Sequence, residues 1–411
     1  MKKNPTILFF THYFPPEVNA PPNRTYEHEI EWIKKGAKVI IVTNNPNHPD
    51  GILFTGYKNK FQTENLNGIE IRRMLTFITP NEGFVLRTLN YLIYMVFAFF
   101  YSLLFIRKPD VMIATTPQFF CASAGKYYAK IKRSKFILEL RDLWPESIVA
   151  VGALKNKTII NILEKIELNL YKSADLIISV TQSFKENLIK RGINPNKIEI
   201  IYNGVYFDSF TNGKAINDKE LEDYLKDAFK VGYIDTIGMA HSISTLVKAA
   251  ETLENSDVKF VIVGSGAERE NIQNLIDEKK LKNIKIFSLR PKEEIPFIIS
   301  KLDIFLVHLK KNDLFKTVIP SKIFEGMFMK KAILIGVDGE ARTIIEDAKA
   351  GEFFEPENAI ELCEAVNRLK NNRNKMNIYG DNGYNYVIEN FDRQKSAEKF
   401  LSLIDKVVNQ N

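Results

Sequence analysis

The residues best suited to chemistry stand where short apolar runs end. In the second half, Ile319-Pro320-Ser321-Lys322-Ile-Phe-Glu325-Gly-Met327 reads as the start of a helix. Pro320 and Ser321 suit the entry, and Lys322 falls in the first turn. A lysine there opposes the helix dipole and costs stability unless it meets an anion. Glu325, one turn on, can accept hydrogen bonds from ribose hydroxyls. Upstream, Gly232-Tyr-Ile-Asp235-Thr-Ile-Gly238-Met239-Ala-His241 leads from an apolar run into a helix, with Gly238 giving the backbone room and His241 near the helix start. Val263-Gly264-Ser-Gly266 is a second strand-to-helix turn, too short a pattern to assign phosphate binding. Arg290 is a further candidate on this side, and Gly336-Val-Asp338-Gly-Glu340 adds a polar loop.

The first half carries two more such places. The loop His12-Tyr-Phe-Pro-Pro-Glu17-Val-Asn-Ala-Pro-Pro-Asn23-Arg24 is stiffened by four prolines and runs into a helix. Asn23 suits its N-cap, so the loop reads either as an anion site beside Arg24 or as an ordinary capped connection. Glu139-Leu-Arg141-Asp142-Leu-Trp-Pro-Glu146 follows another apolar run and groups carboxylates, an arginine and a tryptophan at a strand end. Arg141 can equally serve as a structural partner of Asp142 or Glu146. Two patterns are missing. No G-x-G-x-x-G follows the first strand, which disfavours a dinucleotide dehydrogenase, and no Asp-x-Asp occurs, so no acidic clamp for a metal–nucleotide complex is expected. A transferase lacking that clamp must neutralise a leaving pyrophosphate with side-chain cations and helix N-termini.

The elements that must hold these residues alternate. Thr6–Phe10, Lys38–Val42, Val111–Ala114, Phe136–Glu139 and Leu176–Val180 have the unbroken apolar character of parallel strands covered on both faces. Helices are expected between them, including Asn23–Lys35 and Ile159–Tyr171. A polar stretch, Asp208–Asp227, reads as a linker. A second βα series follows through Phe229–Ile234, Lys259–Val263, Ile284–Phe287, Ile304–Val307 and Ala332–Ile335, with helices at Ile243–Leu253 and Glu268–Lys279. At 411 residues two domains are expected. The reading is 1–207 for the first, 208–390 for the second, and an amphipathic helix at Gln394–Val408 within a terminal segment 391–411.

The composition is that of a globular protein, 45% hydrophobic and 26% charged, with net charge +7. That charge suits a phosphorylated ligand, nucleic acid or a membrane surface, and Lys-rich chains also reach it with no anionic partner. Two cysteines, Cys121 and Cys363, form neither a disulfide framework nor a metal pattern, which points to a reducing compartment. Leu89–Ile106 carries no charge over its length and is followed by Arg107 and Lys108. Three readings fit: a buried crossover helix, a monotopic helix dipping into one leaflet beside Arg87, Arg107 and Lys108, or a span.

With these motifs in view, the chain resembles the retaining glycosyltransferases of family 4, which have the GT-B fold: two Rossmann-like α/β/α domains facing each other across a cleft. It is closest to the branch of bacterial L-fucosamine transferases in O-antigen and capsule assembly. The stretches carrying the resemblance are HYFPPEVNAPPNRTYEH, PNHPDG, RDLWPES, IYNGV, GMAHSISTLVKAA, VGSG and IPSKIFEGM with GVDGEA. The resemblance implies a UDP-sugar donor on the second domain, a lipid-linked saccharide acceptor on the first, no metal, no nucleic acid, and a cytoplasmic enzyme at the inner face of the cell membrane. It implies donor contacts from Glu325, Ser321, Gly238, Arg290, Arg24 and Asn23. It implies catalytic roles for Asp142, Lys322 and His241, and an acceptor side at His12, Glu17 and Glu146. The final helix should cross back onto the first domain. The chain departs from the family pattern at Thr317, in place of the first of two paired glutamates, at Met239, in place of an arginine, and at Asp235, in place of a glycine. A sugar-nucleotide 2-epimerase on the same scaffold and a non-catalytic membrane-associated assembly protein are the competing readings.

Overall fold

The computed structural model describes residues 4–17, 20–48, 51–79, 84–117, 119–211 and 213–410. Val18, Asn19, Pro49 and Asp50, which belong to two of the motifs above, and the side chain of Arg87 lie outside the described residues. The chain divides into two compact units, Met1–Asn203 with Arg393–Asn411, and Gly204–Asp392.

The first unit contains β1 (Thr6–Phe10), α1 (Ala20–Lys34), β2 (Lys38–Asn44), β3 (Gln62–Leu66), β4 (Ile69–Met74), α2 (Phe84–Phe105), β5 (Val111–Thr115), α3 (Phe119–Lys132), β6 (Lys135–Leu140), α4 (Glu146–Ala150), α5 (Lys157–Ser173), β7 (Leu176–Ser179), α6 (Gln182–Lys190) and β8 (Ile198–Ile200). They build an eight-stranded sheet of order β3-β4-β2-β1-β5-β6-β7-β8. Every pairing is parallel except β3 with β4. That edge hairpin turns through Asn67 and Gly68 at φ 50° and 92°, the positive-φ pair that a two-residue type I′ turn requires. β5 and β7 are buried along their whole length, in keeping with helices on both faces. Asn156 caps α5, its side chain accepting from the amides of Thr158 and Ile159, and Thr181 caps α6 through Phe184.

The second unit contains α7 (Asp208–Thr211), α8 (Lys219–Tyr224), β9 (Phe229–Ile234), α9 (Ser244–Thr252), β10 (Val258–Val263), α10 (Arg269–Glu278), β11 (Ile284–Phe287), α11 (Ile295–Lys301), β12 (Ile304–His308), α12 (Lys322–Phe328), β13 (Ala332–Gly336), α13 (Glu340–Asp347), β14 (Gly351–Phe353), α14 (Ala359–Lys370) and α15 (Arg373–Asn390). Its sheet is parallel throughout, of order β11-β10-β9-β12-β13-β14. The stretch expected as a linker is part of this unit. Asp218 caps α8 through the Leu221 amide, Leu221 is buried, and Lys214 N–H donates to Glu293 O at 2.7 Å. The cap, the buried leucine and the backbone bond tie this stretch into the unit.

α2 occupies the apolar segment and links β4 to β5 within one sheet. Asn90, Tyr94, Ala98 and Ser102, four residues apart, are buried, because that spacing keeps one stripe facing inward. The Tyr94 hydroxyl lies 2.7 Å from Val42 O, over the strand ends. The opposite stripe is open: Phe100 is 55% exposed, Leu104 72% and Phe105 70%. The segment is therefore a crossover helix with an apolar outer face, between the buried and the membrane-lying expectations. By length and composition Thr88–Phe105 could cross a membrane, yet 22% of it is buried within the fold.

The last helix, α16 (Arg393–Asn409), joins the first unit. Trp32 Nε1 of α1 donates to Ala397 O at 2.9 Å, and the Trp32 and Phe400 rings meet edge to face at 5.1 Å. Buried charges reinforce this seam. Arg24 pairs with Glu139 at 2.8 Å and donates to the Tyr202 carbonyl and Asn203 Oδ1, each at 3.1 Å. Arg393 pairs with Glu27 and donates to Asn203 O. α1 begins at Ala20, so Asn23 sits in its first turn and is not its N-cap. Removing one member of a buried ion pair strands the other charge. Arg24→Met should therefore lower the unfolding free energy by about 3–5 kcal/mol in urea titration. Unchanged stability would show that Arg24 is not committed to the fold.

Candidate active site

β9 lies between β10 and β12, and the connections on its two sides leave in opposite directions along the sheet. At such a reversal the loops at the carboxyl edge diverge and leave room for a ligand. The loop after β9, residues 235–242, is held from three sides. Asp235 N–H donates to Val263 O at 3.1 Å, Ile237 N–H to Ser265 O at 2.9 Å, and Glu268 N–H to Ile237 O at 2.9 Å. A Cβ on Gly264 would lie 1.9 Å from Asp235 O, and one on Gly266 2.5 Å from Ile237 O. The two glycines of Val263-Gly-Ser-Gly266 thus let two backbones touch. His308, at the end of β12, bonds His241 O through Nδ1 at 2.8 Å, and its Nε2 accepts the Glu357 amide at 3.0 Å. That pairing puts its proton on Nδ1, and burial lowers its pKa to about 4, keeping the ring neutral. Glu357 itself accepts from Ser242 Oγ and Lys311 N–H, both at 2.9 Å.

Against this pinned loop lies Lys322, buried at the start of α12. Its Nζ stands 4.4 Å over the Tyr233 ring and forms an ion pair with Asp235. Burial holds its pKa well below the usual lysine value, opposed by the Glu325 charge one turn on. His241 Nε2 lies 3.5 Å from the same Asp235 carboxylate. Burial takes His241 down to about 4, so it offers a neutral ring. Ser321 takes the N-cap position with helical dihedrals (φ −59°, ψ −22°), and its side chain makes no cap bond. A Cβ on Gly238 would meet Thr236 and His241 at 3.4 and 3.5 Å, ordinary contact, so the local packing does not demand a glycine there. Arg290, expected as a donor contact, is paired with Asp218. Thr317 Oγ1 donates to Leu314 O at 2.6 Å, closing the single turn before α12, and Met239 is exposed.

In the first unit the expected acceptor residues are mostly engaged in folding. His12 is buried among the rings of Tyr13, Tyr91 and Tyr94 at 4.7–5.0 Å, with Asn44 Nδ2 2.8 Å from its Nε2. Burial lowers its pKa to about 3. Glu17 accepts from the amides of Phe14, Asn47 and His48 at 3.3, 3.1 and 3.0 Å, tying together the loops after β1 and β2. Burial pushes it up to about 7 against those bonds. Arg24, expected to reach a phosphate, is buried in its pair with Glu139. Arg141 senses Glu139, Arg24 and Arg393, and burial lowers it to about 10. Asp142 lies past the end of β6, where the Ser147 hydroxyl and Leu143 amide bond its carboxylate. Burial pushes it up to about 7, with Glu146 and Glu167 adding to the rise. Glu146 lies 3.6 Å from Arg191, which also pairs with Glu167 at 2.6 Å, and it keeps a third of its side chain exposed. An open groove of about 580 Å³ lies beside the loop after β1, lined by Pro16, Ile52, Leu53, Phe54, Thr55 and Tyr57.

Sequence reasoning missed two residues that build this site. His308 is a lone histidine at a strand end, with no local pattern to mark it. Glu357, at φ 67°, stands in a loop whose role appears only when residues 242 and 311 come together. Among the described residues no group of three or more His, Cys, Asp or Glu side chains could hold a metal ion.

The chain matches two family models. Residues 23–208 match Glycosyltransferase Family 4, and residues 217–386 match Glycosyl transferases group 1. It is 22% identical over 326 residues to the putative colanic acid biosynthesis glycosyl transferase WcaI of Escherichia coli, spanning 77% of this chain and 79% of that one. Its fold superposes on Anabaena HepE in complex with UDP and glucose at a TM-score of 0.71, with 15% identity over 98% of this chain and 100% of that one. Sucrose-phosphate synthase from Thermosynechococcus elongatus gives 0.74, with 15% identity over 98% and 99%. The chain belongs to the glycosyltransferases with the GT-B fold.

Proposed function

We propose that this glycosyltransferase moves a sugar from a UDP-sugar donor to a lipid-linked saccharide, with retention at the anomeric carbon, in bacterial surface polysaccharide assembly. The observation that carries the donor reading is the cluster of Lys322 and Glu325, in the first turn of α12, with His241 on the pinned loop at the reversal point of the second sheet. There Lys322 neutralises the departing pyrophosphate, neutral His241 donates a hydrogen bond to it, Glu325 accepts from ribose, and Ser321 and Gly238 line the same edge. The UDP complex of HepE supports UDP as the nucleotide, and the colanic acid relative supports polysaccharide assembly. An N-acetylated amino sugar such as UDP-N-acetyl-L-fucosamine is the first donor to try. Same-face attack needs no enzyme nucleophile; it needs the leaving group stabilised and the acceptor hydroxyl held close. Asp142 would orient a sugar hydroxyl or stabilise positive charge at the anomeric carbon. Glu146 and the open groove near Glu17 would receive the acceptor. We assign the enzyme to the cytoplasmic face of the membrane, with the outer stripe of α2 in contact with lipid. On α3, which packs on α2, Tyr127 and Ile131 are exposed apolar side chains as well, and Lys130 and Lys132 near its end suit anionic headgroups.

Glu325→Ala should weaken UDP and uridine alike, by about 1.5–3 kcal/mol for a charge-assisted bond. Lys322→Ala should weaken UDP more than uridine in calorimetric titration, and turnover should survive EDTA. Equal loss of both ligands in Lys322→Ala would make the lysine structural.

If Asp142 acts as the carboxylate, kcat should fall below pH ~7, where its raised pKa leaves it protonated. Asp142→Asn should remove that acid limb, lower kcat about 100-fold and leave UDP binding intact. A retained limb would assign it to another group, with Glu17 the first to examine.

The variant Phe100→Ser/Leu104→Ser should keep its unfolding temperature and lose binding to anionic phospholipid vesicles in flotation. Each buried side chain of this kind contributes about 1.5–3 kcal/mol on transfer. Undiminished flotation of the folded variant would remove α2 from the membrane contact.

A further inference from the structure

Lys322 already has an anion beside it. Asp235 closes an ion pair with its ammonium group, and the same carboxylate lies 3.5 Å from His241 Nε2. The two groups assigned to the leaving phosphate therefore both face one carboxylate of the chain itself. The surroundings fix that meeting. Lys322 is 6% exposed, and its Nζ rests over Tyr233, a fully buried ring whose hydroxyl donates to Thr236 O at 2.9 Å. Asp235 is anchored through its amide to Val263 O, with Gly264 pressed against its carbonyl. Neither partner sits on a mobile surface arm.

We propose that Asp235 is an intramolecular counter-anion that occupies the phosphate's place on Lys322 and His241 and weakens the enzyme's hold on UDP. This rests on the donor reading given above. A buried ammonium group needs a neighbouring negative charge. Asp235 supplies it when no nucleotide is bound, and the diphosphate supplies it when one is. The carboxylate thus favours the UDP-free protein over the complex, and binding free energy is reduced by that difference. The consequence is a weaker grip on donor and on released UDP alike, which speeds product departure. Asp235 is a positioning residue: it acts through Lys322 and touches no substrate in this scheme.

The experiment is UDP and uridine titration of the whole protein by calorimetry at low ionic strength. Asp235→Asn keeps the shape and removes the charge. It should tighten UDP by about tenfold, the scale of one partly buried charge contact, and leave uridine unchanged. Asp235→Glu should restore weak binding. In a Lys322→Met background, Asp235→Asn should no longer alter UDP affinity. Unaltered or weaker UDP binding by Asp235→Asn, or equal tightening with Lys322 absent, overturns the proposal. Should Asp235→Asn fail to fold, the Asp235→Gly variant takes its place with the same expected sign. Failure of the wild-type protein to bind UDP at all would instead sink the donor reading on which the proposal stands.

Discussion

A lysine ammonium group buried at the start of a helix cannot stand without an anion beside it, and Lys322 is in that position. The cost of desolvating one such charge runs to several kcal/mol. Much of the second unit's carboxyl edge can be understood as meeting that cost. Tyr233 presents the face of its ring below the ammonium, Asp235 closes on it, and Glu325 adds negative potential from the next turn. For Asp235 to be in place, its loop must lie against residues 263–266, which requires glycine at 264 and 266. For His241 to stand beside the same carboxylate, its carbonyl is held by the proton on His308 Nδ1. One cation thus accounts for two glycines, a tautomer and a loop path.

The first unit distributes its buried charge differently. Arg24, Glu139, Arg393 and Glu27 neutralise one another along the seam between α1 and α16, and Asn203 receives hydrogen bonds from both arginines. These charges serve the fold, and of the residues expected at a site Arg24 is the one they include. Asp142 differs in kind. Its carboxylate is held by two short-range donors, with no cation among the groups that most affect it, so burial carries its pKa to about 7. Such a poise is what a group acting near neutral pH needs.

α2 shows how one apolar segment can meet two requirements. A four-residue spacing of Asn90, Tyr94, Ala98 and Ser102 places small or hydrogen-bonding side chains inward, where the strand ends leave limited room. The bulky Phe100, Leu104 and Phe105 are left outside. A soluble crossover helix would ordinarily expose polar groups on that stripe. The composition of the outer face is therefore independent of the fold's own needs, which is why it supports a lipid-facing reading.

The sequence by itself determined the two βα series, because strands covered on both faces must be apolar throughout and their helices amphipathic. It also located the chemistry at strand ends, since only there can polar side chains escape the layers. The edge hairpin went unread: Asn67-Gly68 is a hairpin-turn signal, but the polar alternation of QTENL hid its strand among loops. Tertiary structure alone decided which polar residues remain available. Arg24, Arg290, His12 and Glu17 have the right types in the right places, yet each is claimed by a partner distant in sequence: Glu139, Asp218, Asn44 and the amides of residues 47–48. Asp235 and Lys322 are 87 residues apart by number and in contact in the fold. Ion pairing and burial depend on distance through space, and residue type and local spacing carry no record of it.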